Sequence, residues 1–123
     1  YVMIYEILGG TQRERILVEE ALWFAKDKLI PRVTTLEVNV RIQKFVLEGS
    51  CLQRDRREYD IDIMRGMTEE DLITTVFHEM VHVKQYVRDE IIDCDWDLPY
   101  AERPFEIEAY KLQEELLLEF RNV

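Results

Sequence analysis

Histidine, cysteine, proline and glycine are all scarce in this chain: two, two, three and four residues respectively out of 123. The cysteines, Cys51 and Cys94, are too few and too far apart to read as a disulfide framework, and neither has a partner at metal-ligand spacing. A reducing, cytoplasmic setting is therefore expected. The sparse glycine and proline come without linkers, low-complexity tracts or internal repeats, which argues against a fibrous or disordered chain and for one domain over 1–123. No apolar run approaches the ~20 residues needed to span a bilayer, and no secretory signal is visible at the N-terminus, so no membrane partner is expected. The chain opens on Tyr1 rather than Met, which leaves an upstream leader open.

Positive charge is also in deficit. Acidic residues outnumber Lys and Arg by 26 to 16, for a formal net charge of −10, and they gather at Glu69-Glu70-Asp71 and at Asp93–Asp97. Such a field repels phosphate backbones, so no nucleic-acid partner is expected. The one basic cluster, Arg54, Arg56 and Arg57, reads as a solvated turn. Apolar content of 47% and charged content of 34% are those of an ordinary globule that can build its own core.

The hydrophobic pattern changes period halfway along the chain. Val2–Leu8 is an apolar run closed by Gly9-Gly10, a strand and a turn. Thr11 with Glu14 forms a capping box, and a helix is expected from there to about Lys28, stopped by Pro31. Leu36, Val38, Val40 and Ile42 alternate with polar residues, as in a strand with one buried face. A less regular strand is expected over Phe45–Leu52, a turn over Gln53–Arg57, and a further alternating strand over Tyr59–Ile63. These features predict a helix packed on a small, mostly antiparallel sheet. Beyond it, Thr68 with Asp71 marks a second helix start, running to about Tyr86–Arg88. An acidic connection over 89–103 then leads into a last helix opening at Pro104, a residue tolerated in a first helical turn.

The chemistry sits in His78-Glu79-Met80-Val81-His82. Two histidines four apart on a helix project from one face a turn apart, so both imidazoles reach a single ion. Glu79 is then placed to act on the ion's water without being a ligand. Ile73, Val76, Met80, Val83 and Val87 form an apolar stripe, and both histidines fall nearly opposite it, so something else must cover or use their face. A catalytic zinc needs a third protein ligand and an open position. With both histidines spent, that ligand is Asp, Glu or Cys94. Glu106 shares a largely apolar helix face with Ala109, Tyr110, Gln113, Leu117 and Phe120, and is preferred. Glu108 aligns with Lys111, Glu115 and Glu119 on a charged stripe and is the alternative, with Asp93, Asp95 and Asp97 behind it.

HEMVHVKQY followed by YAERPFEIEAY resembles the compact HExxH-plus-Glu zinc metallopeptidases, the gluzincins, and within them the ImmA/IrrE-type domains and the small phage SprT-like peptidases. The resemblance spans about Thr68 to Phe120. It implies an α+β, zincin-like minimal metallopeptidase fold, one catalytic Zn²⁺ on His78, His82 and Glu106, and Glu79 as general base. It also implies a peptide or protein substrate, lying along an exposed sheet edge for which Tyr59–Ile63 is one candidate. Where metzincins continue their motif with glycine and histidine this chain has Gln85 and Arg88, which excludes that branch. Four residues after Glu106, where thermolysin-like patterns place Asp or Asn, it has Tyr110, so the usual partner of a ligand histidine is not at that position. Tyr100 and Tyr110 are candidates to donate to an oxyanion, against a plainer role as amphipathic core tyrosines. Two other functions stay open: a non-catalytic zinc-binding interaction module, and an amidase acting on a non-protein amide such as peptidoglycan. Glu79→Gln separates the first from a peptidase, and the choice of substrate separates the second.

Overall fold

A computed structural model describes residues 2–45 and 47–122. The elements follow in the order β1 (Val2–Gly9), α1 (Gln12–Leu29), β2 (Thr35–Gln43), β3 (Gly49–Asp55), β4 (Glu58–Met64), α2 (Glu69–Val87) and α3 (Pro104–Arg121), with two short 3₁₀ turns at Asp93–Asp97 and Tyr100–Glu102. Both expected helix starts are present. Thr11 Oγ1 accepts from the Glu14 amide while Glu14 reaches back to the Thr11 amide, and Thr68 Oγ1 accepts from the Asp71 amide. Glu14 does more than cap: its second oxygen accepts from the Gly66 amide at 2.9 Å, tying the start of α1 to the turn before α2.

The four strands form one mixed sheet in the order β1-β2-β4-β3. β1 pairs with β2 and β2 with β4 in parallel, and only β3 and β4 are antiparallel, so the expectation of a mostly antiparallel sheet is corrected. The reason is topological. α1 carries the chain back to the end where β1 began, which makes β2 parallel to it. The chain then passes to the far edge as β3 and returns as β4 in the gap, again parallel to β2. The same order removes Tyr59–Ile63 from the candidate edges, because β4 is interior; the edge strands are β1 and β3. β3 also runs on to Asp55, past the expected end at Leu52, which leaves Arg56 and Arg57 as the turn and pairs Arg54 with Asp60 across the strands. The expected strand over Phe45–Leu52 includes Val46, which lies outside the described residues.

The alternation seen in the sequence is the burial pattern of the sheet. Leu36, Val38, Val40 and Ile42 of β2 and Tyr59, Ile61 and Ile63 of β4 all face one hydrophobic cluster with α1 and α2. Fully burying one such aliphatic side chain contributes about 1.5–3 kcal/mol. α2 lies across this cluster between α1 and α3, and from Leu72 to Gln85 every residue but Thr74 is buried. Its apolar stripe rests on the sheet and α1. The opposite face is covered by α3 through Phe105, Glu106, Ala109, Leu116 and Leu117. No helix is long and apolar enough to cross a membrane, among the described residues.

Candidate metal centre

α2 and α3 bring His78, His82 and Glu106 together, and their ligand atoms all lie within 4.8 Å of one another. Nε2 of His78 and Nε2 of His82 are each 3.1 Å from the same oxygen, Glu106 Oε1. The site is carried by helix geometry on both sides. The four-residue spacing stacks the imidazoles on the α3-facing side of α2. Pro104 opens α3, so Glu106 sits in its first turn, where the helix dipole favours a carboxylate.

Each imidazole is oriented from behind. His78 Nδ1 is 2.8 Å from Gln113 Oε1, and His82 Nδ1 is 2.7 Å from Gln85 Oε1. The Gln85 amide has only one sensible orientation. Its nitrogen donates to the Phe105 carbonyl at 2.8 Å and to Glu108 Oε1 at 2.9 Å, which leaves its oxygen to accept from His82. Glu108 is held in turn by Lys84 at 3.1 Å. With Nδ1–H committed to the amides, each neutral imidazole directs its Nε2 lone pair at Glu106. Three acceptors that converge in this way repel unless a cation or protons lie among them, and their close approach fits the coordination shell of a small divalent ion. A buried His-His-Glu group that can hold a metal ion is therefore present.

Protons can take the cation's place among the three groups. Burial works to raise the Glu106 carboxyl, but hydrogen bonds from the two histidines, and their positive charge once protonated, hold it at about 2. For His82, burial works downward and the carboxylates of Glu106 and Glu79 more than offset it. Glu79 goes the other way: burial, only partly countered by the imidazoles, pushes its carboxyl above the usual range. It is only 5% exposed and no hydrogen bond contributes to its shift, yet no fully buried side-chain atom lacks a partner among the described residues. Its carboxylate thus reaches the open side of the site, a cleft of about 280 Å³ that it lines with His78, Tyr110 and Gly49.

Gly49, the first residue of the edge strand β3, is what allows the strand to lie so close. A Cβ there would stand 2.6 Å from Thr75 Cγ2 and 3.0 Å from Glu79 Oε2.

Of the sequence candidates, Glu106 joins the cluster and Glu108 does not. The bonds of Glu108 to Lys84 and Gln85 place it one layer behind His82. Asp93, Asp95, Asp97 and Cys94 stay outside the cluster, and so does Cys51, a partly buried residue packed against the core whose thiol burial pushes well up. The two tyrosines are about half exposed and not core residues. Tyr100 Oη donates to Glu106 Oε1 at 3.2 Å and lies 3.3 Å from Tyr110 Oη, while the Tyr110 ring sits 4.7 Å from that of His78. Sequence reasoning misses Gln85 and Gln113 as partners of the histidines. Gln113 lies on the same α3 face as Glu106, two turns on, and Gln85 lies three residues after His82 on α2; those spacings are the available signals.

No family model, curated protein or solved structure matches this chain. What the site can do therefore follows from its own geometry.

Proposed function

We propose that the protein is a zinc-dependent peptidase of zincin-like build, with His78, His82 and Glu106 holding the ion and Glu79 as general base. The observation that carries this reading is the open side of the His-His-Glu group. A structural zinc site is closed by four protein ligands, whereas this one offers three and faces a cleft whose wall is an otherwise unbonded carboxylate. A zinc ion bound there supplies Lewis acidity and brings the pKa of a coordinated water to about 7. Two imidazoles and a carboxylate suit zinc, and the same donor set also accepts other first-row ions.

The chain's own residues divide the remaining work. Glu79 takes the proton from the attacking water and passes it to the leaving amine, a role suited to a carboxyl whose proton affinity burial has raised. Tyr110, on the cleft wall, is placed to donate to the oxygen on which charge develops, and Tyr100 holds Glu106 in position. The free edge of β3, which begins at the cleft, replaces β4 as the strand along which an extended substrate lies.

The test is a metal analysis of the wild type and Glu79→Gln after zinc loading, with casein, a peptide mixture and peptidoglycan as substrates. Equal zinc in both proteins and cleavage by the wild type alone, lower by about 10²–10⁴-fold in Glu79→Gln, is the expected result. Zinc without cleavage in either protein points to a binding module. Cleavage of peptidoglycan alone points to an amidase. A wild type that takes up no metal overturns the reading.

A further inference from the structure

The cleft beside Glu79 is lined on its outer side by carboxylates from three separate elements. Glu48 precedes β3, Glu70 and Asp71 come from the first turn of α2, and Glu114 comes from α3. Among the described residues no lysine or arginine lines it. Glu70 is engaged by Arg121, and the Gln113 amide reaches Glu114 at 3.3 Å, but no ion pair joins Glu48, Asp71 or Glu114 to a cation among the described residues. At the inner end stands Glu79, more than nine-tenths buried, with no hydrogen bond among the described residues and aimed into the same space. An acidic hollow of this kind raises the local concentration of cations, and the low-dielectric walls behind Glu79 strengthen the attraction.

We propose that this cleft is a subsite for a cationic side chain of the substrate, lysine or arginine, beside the bond to be cut. The inference rests on the peptidase reading above and adds the substrate class to it. A second metal ion is a poorer occupant. His78, His82 and Glu106 form the sole group of three or more with metal-holding geometry among the described residues, so no three of the outer carboxylates converge on one ion. A long flexible stem ending in several N–H donors meets dispersed acceptors better. The hollow beyond Gln85 differs in charge: Arg56 stands in its lining beside Asp89 and Asp93, so it is not uniformly acidic.

The experiment uses zinc-loaded wild-type protein and two series of fluorescein-labelled alanine octapeptides, in which one lysine or one norleucine is moved through each position. Binding is read by anisotropy and cleavage by mass spectrometry. At one position lysine is expected to bind about tenfold more tightly than norleucine at low salt, with the difference shrinking as salt rises. In Glu48→Gln/Glu114→Gln, two exposed positions whose exchange leaves the core intact, that preference is expected to fall several-fold. Equal affinity for the two series at every position, undetectable binding included, overturns the subsite, as does a preference unchanged in the double variant. A lysine preference without any cleavage keeps the subsite and removes the peptidase reading. Cleavage indifferent to charge does the reverse.

Discussion

The two faces of α2 are both buried, and they are built on opposite rules. Toward the sheet, Val76, Met80 and Val83 meet the apolar faces of β2 and β4, where area removed from water is the whole of the interaction. Toward α3, His78, Glu79, His82 and Gln85 are just as hidden, yet they are polar and meet Glu106, Glu108 and Gln113. Burying such groups costs stability unless each finds a partner, and here each does except Glu79. The first face makes the helix stay. The second spends part of that stability on a site that can hold a metal ion, and its unbonded member marks where that site opens to the cleft.

The sharpest way to break the comparison is one truncation on each side. Glu106→Ala is expected to abolish stoichiometric zinc uptake while urea unfolding of the metal-free protein changes little, because it removes the carboxylate on which both imidazoles converge. Ile61→Ala is expected to cost about 2–5 kcal/mol in the same unfolding experiment and to leave zinc stoichiometry intact in the folded fraction. If Glu106→Ala unfolded the protein outright, or Ile61→Ala lost zinc first, the two faces would not be separable.

A smaller effect tests the layer behind the ligands. Gln85→Leu keeps the side-chain bulk but removes the acceptor for His82 Nδ1 and the donor to Phe105 and Glu108. Zinc affinity, measured by competition with a chromophoric chelator, is expected to fall about 10–100-fold. Gly49→Ala sharpens the same boundary from the sheet side. Its new Cβ meets Thr75 and Glu79, so turnover is expected to drop more than thermal stability, and a loss of stability alone would show that the close approach serves packing only.

The smallest expected effect lies far from the site. Hydrogen bonds from the Gly66 and Thr11 amides hold the Glu14 carboxyl below its ordinary range. A depressed folded-state pKa stabilises above the unfolded value, and that contribution disappears as pH falls through the folded value. Because Glu14 lies at the surface and is only partly buried, solvent screening keeps the contribution small. Acid titration of stability should therefore show a loss of about 1 kcal/mol or less that is absent in Glu14→Gln.

Much of this was legible from the sequence. The caps at Thr11 and Thr68, the period-two faces of β2 and β4, and the choice of Glu106 over Glu108 all follow from local spacing, because hydrogen bonds within a turn and side-chain direction along a helix or strand are set by neighbours a few residues away. Strand order was not legible. Alternation says which face of a strand is buried but nothing of which strand lies beside it, so the parallel pairs and the interior place of β4 had to come from the fold. The same limit hid Gln113, whose bond to His78 spans two helices, whereas Gln85 lies three residues after His82 on α2, within reach of local spacing.

The amino-acid order by itself determined which residues point inward and that His78 and His82 share a helix face, since both depend on a fixed backbone period. Only the tertiary structure decided that Glu106 closes on them, that Glu108 acts through Gln85, and that Glu79 opens on an acidic cleft. Those facts depend on how α2, α3 and β3 pack, and packing is a property of the whole core rather than of any one segment.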